Sequence, residues 1–532
     1  MICPRLLGEN PSPQPIRTFL YKHAANGLPL NPSFTSSEAC VGRISLSVGI
    51  TAVAKMKVTV LTGPQGSGKS TVMRKEAIIQ PGLYLFASPT HELIEEQVEA
   101  FRKDAPHLEL WPVHSKRGGK GKVAERLAVA RDTLIAKGAR HAVILTTHDA
   151  MMGSDLGAFA GWHARIDEAP AAVQAGTFNI SEVRAALKER FALHAKPGHE
   201  WASLTLNGAK RNWKMLRESL GGKELVEFYK QASNPARVFV RTPDWDAADD
   251  IDWFSIWSPL ELAGFASVQI AGSSYTSSVG YLGAKALFDD LLEFHERDVP
   301  VVRTGQPSIT IHYFTEGHRG STTFWETSEG RLQIKHVCDY LATTLPTASF
   351  WSGNTVVQHL MEHRLKGDLI AASAAGLNKH RNRKHCAIIF SGKATKADKG
   401  MMTVFGLDKA HIERAREDEL IRQFVMRGAI RNPVFNGAYD IYVYEKVQAE
   451  RLKGHFEDLL FNSIELAPVT EAGLMTVRRK SDGPTDQEKA AKKADRNRKA
   501  AERGRKKRKA KAEAAGREVG QPGNPKLKKA PR

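Results

Sequence analysis

Apolar residues recur along the chain in short blocks separated by helical or turn-rich stretches, and the blocks fall into two series. KVTVLTG (57–63), LYLFASPT (83–90), AVILTTHD (142–149) and SVQIAGSS (267–274) read as strands, the second followed by the helical HELIEEQVEAF. After a break at DVPVVRTGQP (298–307) come SITIHYF (308–314), ASFWSGN (348–354), DLIAASAAG (368–376), CAIIFSG (386–392) and YDIYVYE (439–445). Helical patterns lie between them, notably at 331–345 and 408–428. Strands alternating with helices predict an α/β fold with parallel sheets. Two tandem units are expected, at 56–298 and 299–477. The stretch 171–255 is longer than a crossover needs and reads as an insertion. Its Trp201, Trp213, Trp245 and Trp253 are either core residues or stacking platforms for bases. Residues 1–55 show no periodicity and read as a disordered arm or a product of an upstream start codon, since Met56 falls just before the first strand.

Composition narrows the class. The chain has 532 residues, 42% hydrophobic and 25% charged, values of a globular protein too long for one ordinary domain. No run approaches the ~20 apolar residues of a membrane span, and the first residues lack the apolar core of a secretion signal. Cys3, Cys40, Cys338 and Cys386 form no CxxC pair, which fits a reducing cytoplasm rather than a disulfide framework or a structural zinc site. The net charge is +19, and residues 478–532 hold 21 Lys and Arg against 7 Asp and Glu. Segments such as GRKKRKAKAEAAGR lack large apolar residues, so this tail is expected to be disordered. Its charge suits a polyanion, above all nucleic acid.

The sharpest motif is GPQGSGKS: Gly63, Pro64, Gln65, Gly66, Ser67, Gly68, Lys69 and Ser70, directly after a strand and followed by the helical Thr71 segment. Glycines at these steps let successive N–H groups curl inward around a phosphate at a helix start. Lys69 supplies charge to the β and γ phosphates, and the Ser70 hydroxyl suits Mg²⁺. The motif predicts binding of a nucleoside triphosphate. Hydrolysis further needs carboxylates, and IDEAP (166–170) offers Asp167 for the metal and Glu168 as general base. The preceding GWHAR is a poor strand by pattern.

Six further segments follow GSGKS in order: ASPTHELIEEQ (87–97), TTHDAMM (146–152), DEAP (167–170), AGSSYTSS (271–278), SAAGLN (373–378) and QFVMRGAIR (423–431). This series resembles the motifs of superfamily two (DEAD/DEAH-like) helicases, and loosely their phage- or plasmid-borne examples, over residues 57–445. The resemblance implies two RecA-like P-loop domains with ATP and Mg²⁺ between them. It places Pro89, Thr90 and Gln97 on the nucleic-acid backbone. Gly272, Ser273 and Ser274 would link the γ-phosphate state to the strand path, and Gly376 and Asn378 would face ATP from the second domain. Gln423, Arg427 and Arg431 fall in the motif whose arginine reaches the γ-phosphate. Here that motif runs Q-x3-R-G-x2-R rather than Q-x2-G-R-x2-R, so the finger is either arginine. No adenine-reading glutamine precedes Gly63. His148 is either a motif residue or a capping or core histidine. The basic cluster NKHRNRKH (378–385), with Lys379, Arg381, Arg383 and Lys384, is either a phosphate contact or a solvated loop.

These features predict an ATP-dependent helicase or translocase acting on nucleic acid, with single-stranded or forked DNA as partner and a role in DNA replication. Two alternatives are a terminase-type packaging ATPase, which would need a nuclease trio of acids not visible between 308 and 445, and a nucleotide-gated adaptor with little turnover.

Overall fold

The computed structural model describes residues 54–117, 122–179, 184–195, 200–207, 223–232, 237–247, 250–373, 379–478, 493–499, 501–504 and 506. The N-terminal arm, Trp213, Gly376 and Asn378 lie outside them. The described residues up to Met475 belong to one unit and those from Thr476 onward to another.

The first series builds strands β1 (Met56–Thr62), β2 (Leu83–Ser88), β3 (Glu109–Val113), β4 (Ala142–Thr147) and β5 (His163–Asp167). The segment that follows forms β6 (Val173–Asn179), β7 (Phe191–His194), β8 (Trp201–Leu206), β9 (Arg237–Arg241) and β10 (Asp250–Ile256). The chain then returns to the first sheet through β11 (Ser267–Ala271) and β12 (Leu292–Asp298). The seven-stranded order is β12-β1-β11-β5-β2-β4-β3, parallel throughout. Near-continuous burial of β2 and β4 is what helices on both faces of a parallel sheet demand. The insertion is a separate five-stranded antiparallel sheet, β6-β10-β9-β8-β7. Trp201, Trp245 and Trp253 are buried in its cores, which leaves none of these three rings free to stack on a base.

The second series forms β13 (Ser308–Thr315), β14 (Ser349–Gly353), β15 (Asp368–Leu369), β16 (His385–Ile389), β17 (Ala438–Glu445) and β18 (Ser463–Pro468). They lie in the order β15-β14-β16-β17-β13-β18, again all parallel. The helices that matter for the site are α1 (Lys69–Ile79), α2 (His91–Asp104), α3 (Val279–Phe288), α4 (Lys399–Phe405), α5 (Lys409–Glu413) and α6 (Glu419–Val425).

The strands β3, β12 and β18 are not among those expected from the pattern, and three of the segments read from it differ. GWHAR leads into a full buried strand, β5, because the Arg165 guanidinium finds partners inside the sheet: its Nη1 donates to Ala164 O at 2.9 Å and Ser267 Oγ at 3.0 Å, and the group lies over the Tyr84 ring. The strand expected at 368–376 pairs only over Asp368–Leu369. Beyond it, the carbonyls of Ala371 and Ala372 are taken by Arg427 instead of a neighbouring strand. The helix expected over 408–428 is interrupted by a π-helix, Arg414–Asp418, between α5 and α6.

Among the described residues no helix is long and apolar enough to cross a membrane. In the C-terminal unit, 493–499 is helical, with Asp495 paired to Arg498 and Lys499. Nearly every described side chain there is exposed, as expected of a segment with no large apolar residues.

Candidate active site

The P-loop leaves the end of β1 with Gly63, Gly66 and Gly68 all at positive φ. A β carbon on Gly63 would fall 2.4 Å from Val299 O, so only glycine allows this turn. Gly68, at φ 88°, is the N-cap of α1, and the first amides of that helix open toward the cavity with no side chain capping them. Lys69 opens α1; its Nζ donates to Gly63 O and Pro64 O, both at 2.7 Å, and lies 3.4 Å from Ser67 Oγ. Burial lowers the pKa of this ammonium, while the nearby Glu168 and Asp167 work in the opposite direction. The ammonium is thus held by weak neutral acceptors that a phosphate can displace.

Ser70 Oγ donates to Asp167 Oδ1 at 2.6 Å. Asp167 ends β5 and is buried at 3% exposure. Its other oxygen accepts from Gln97 Nε2 at 3.3 Å, and Gln97 Oε1 in turn accepts from Arg74 at 3.3 Å. Burial raises the Asp167 pKa, opposed by Ser70, Lys69 and Gln97. Two hard oxygen donors side by side next to a phosphate cradle are the donor set Mg²⁺ takes. The orphaned side-chain amide of Gln65, both of whose polar atoms are buried without a partner, also faces this space.

Glu168 follows Asp167 at φ 70°, a left-handed conformation that costs a non-glycine residue roughly 1 kcal/mol. That turn aims its carboxylate into the cavity rather than along β5. Burial, with Asp167 adding to it, pushes its pKa up to about 7, a value matched to proton acceptance near neutral pH. His148 steadies the turn. Its buried Nε2–H donates to Asp167 O at 2.9 Å, and burial holds the ring neutral with a pKa of about 4.

A cavity of about 350 Å³ opens above these groups. One wall is Gln65, Gly66, Gly68, Lys69, Ser70, Thr71, Asp167 and Glu168, continued by Ser273 beyond β11; the facing wall is Gln423, Met426, Arg427 and Arg431. The side chain of Arg431 lies against the P-loop itself: a β carbon on Gly66 would be 3.0 Å from Arg431 Cγ. Arg427 is 4% exposed and is committed to the Ala371 and Ala372 carbonyls at 2.8 and 2.9 Å. Burial lowers its pKa to about 10 despite the attraction of Glu168, so it stays charged. The two arginines therefore differ in role: Arg427 fixes the segment before residue 374, and Arg431 covers the loop.

The residues expected on nucleic acid separate. Gln97 is buried and spends its amide on Asp167, which places it in the lining of the P-loop cavity rather than on an open surface. Thr90 caps α2 by accepting from Leu93 N at 3.3 Å, and Pro89 beside it is half-buried. Arg383 is tied to Thr347 O at 2.9 Å and Asp368 at 3.1 Å, holding the loop; Lys379 and Arg381 remain exposed on it.

Several cavity residues escaped the motif reading. Leu93, Glu96 and Ala100, to which the motifs give no role, line it from α2 beside Gln97, and the spacing of three, four and seven from Leu93 marks one helix face. Glu419, four residues before Gln423, accepts from its Nε2 at 2.9 Å. Burial raises the Glu419 pKa, and the group lies close enough to Ser274, Lys69 and Glu168 for each to act on it.

No family model and no curated protein matches the chain in sequence. Solved structures similar in architecture include an apo XPD structure, 10% identical, over 77% of this chain and 97% of that one, at a TM-score of 0.43. Another is S. cerevisiae Dbp5 bound to RNA and ADP BeF3, 9% identical over 78% and 86%, at 0.35. RecG bound to a three-way DNA junction is 11% identical over 76% and 42%, at 0.31.

Proposed function

We propose that the chain is a helicase-type ATPase that couples ATP hydrolysis between two RecA-like domains to movement along, or separation of, nucleic acid, with single-stranded or forked DNA as the partner. The observation that supports it most directly is a cavity lined both by the P-loop and paired acids and by Gln423, Arg427 and Arg431. A nucleotide there touches both sheets' elements, so its cleavage changes what holds them together.

Mg²⁺, held by Ser70 and Asp167, would neutralise phosphate charge. The α1 amides and Lys69 bind the β and γ phosphates. Glu168 accepts the proton of the attacking water. Arg431, lying on the P-loop, stabilises charge on the transferring phosphoryl group, the task of an arginine finger. Arg427 acts through position, by anchoring the segment ahead of Gly376 and Asn378. A poor strand before Asp167 would favour the adaptor alternative, whereas β5 is a full strand.

Hydrolysis measured with and without single-stranded DNA, RNA and forked DNA tests the reading. Wild type should turn over ATP faster with a nucleic acid, and Lys69→Ala should be inactive. Turnover of Lys69→Ala near the wild-type rate would overturn the site, and hydrolysis indifferent to every nucleic acid would overturn the motor.

A further inference from the structure

The arginine-bearing wall of the cavity stands on packing that begins in the inserted sheet. One side of that sheet closes over its own helix, Lys223–Ala232, around Phe178, Phe228 and Trp253. Its other side does not face solvent. Phe254 of β10 stacks on Phe239 of β9 with centroids 4.8 Å apart and meets the ring of Phe405, on α4, edge-on at 5.4 Å. Trp201 of β8 lies over Gly400 so closely that a β carbon there would be 2.1 Å from the indole. Gly283 of α3 leaves the space that Phe405 and Ile256 fill, 2.7 and 2.8 Å from where its β carbon would stand.

These contacts assign α4 and α5 to an unexpected core. Met401, Phe405 and Ile412 are buried in one cluster with Val58, Val60, Ile166 and Ile270 of the first sheet. Ile421, Phe424 and Val425, on α6, belong to the cluster of the second sheet. The changeover falls on the π-helix Arg414–Asp418, an irregular turn of the kind often found at functional positions. It is clamped by charge. Glu417 accepts from Gly392 N at 2.9 Å, Asp418 takes Arg451 at 3.3 Å, and Glu413 takes Arg319 at 3.1 Å and Arg451 at 3.3 Å. Immediately after it, α6 carries Glu419 and Gln423, and then Arg427 and Arg431 follow.

Resting on the function proposed above, we infer that the inserted sheet sets the position of the arginine wall, with Phe405 as the positioning residue and the π-helix as the rigid joint that passes its position to α6. Ground-state phosphate binding belongs to the P-loop, whereas an arginine finger acts in the transition state, where an error of about 1 Å costs on the order of 100-fold. Loosening α4 should therefore lower kcat and spare KM.

The test is a mutant cycle on the full-length protein, with steady-state ATP hydrolysis for wild type, Phe405→Ala, Arg431→Ala and the double variant. Phe405→Ala should lower kcat about tenfold or more with KM for ATP within about twofold, Phe405→Leu should recover most of the loss, and the double variant should match Arg431→Ala alone. If the Phe405→Ala penalty persists in full beside Arg431→Ala, or if it falls on KM, the inference is overturned. Gly400→Ala, which wedges α4 off Trp201 without emptying the core, carries the same cycle should Phe405→Ala fail to fold. Lys69→Ala separates the two levels: retained turnover removes the nucleotide site itself, whereas an inactive Lys69→Ala with an additive cycle removes only the positioning role.

Discussion

Replacing Glu168 by glutamine should damage catalysis and strengthen the fold, and the second effect should depend on pH. An unfolded glutamate titrates near 4.5, whereas this one is pushed to about 7, mostly by burial with Asp167 adding to it. The folded protein therefore binds the proton more tightly, and its stability falls as pH rises through the interval between the two values. Below 4.5 the group costs nothing. Above 7 the full displacement corresponds to about 3 kcal/mol. Glutamine keeps the shape and the φ of 70° but carries no charge to desolvate. Glu168→Gln should thus exceed wild type by about 3 kcal/mol at pH 8 and by about 1 kcal/mol at pH 5, while turnover falls on the order of 100-fold or more. Urea unfolding of both proteins at pH 5, 6, 7 and 8, without nucleotide, measures the difference directly. A variant no more stable than wild type at pH 8, or a gain that stays constant with pH, would refute the reasoning, because the carboxylate would then not be held in a desolvated place.

Arg431→Ala should lower kcat by roughly 1000-fold or more with little change in KM, as expected of a group acting on transition-state charge; single-turnover kinetics distinguishes this from slower product release. Gln97→Leu removes a donor from Asp167 Oδ2 and an acceptor from Arg74, so it should cost about 1–2 kcal/mol of stability and raise the Mg²⁺ concentration for half-maximal hydrolysis, read from a metal titration at fixed ATP. Deleting 478–532 removes a net +14 of charge and should weaken DNA binding with a shallower dependence of log K on log salt while sparing basal ATPase; an unchanged slope in fluorescence anisotropy would mean that the tail neutralises no phosphates.

The P-loop was legible in the sequence because its chemistry is local: GPQGSGKS specifies the turn, the helix start and the lysine within eight consecutive residues. Period-two and buried apolar runs likewise identified most strands of both parallel sheets, since a strand enclosed on two faces has few ways to hide its composition. Where the pattern faltered, a distant partner was responsible. β5 looks too polar alone, yet Tyr84 and Ser267 receive Arg165; the segment after Leu369 looks like a strand, yet Arg427 takes its carbonyls. The same dependence on distant partners governed the site. Order along the chain suggested Asp167, Glu168, Gln423 and the two arginines, but it put Gln97 on the strand path. Which arginine lies on the P-loop, that Gln97 turns inward to Asp167, and that an inserted sheet reaches α4 were decided only in the folded protein. Local sequence determines which conformations a segment prefers, whereas burial and the competition for hydrogen-bond partners across hundreds of residues determine which of its groups are left to face a ligand.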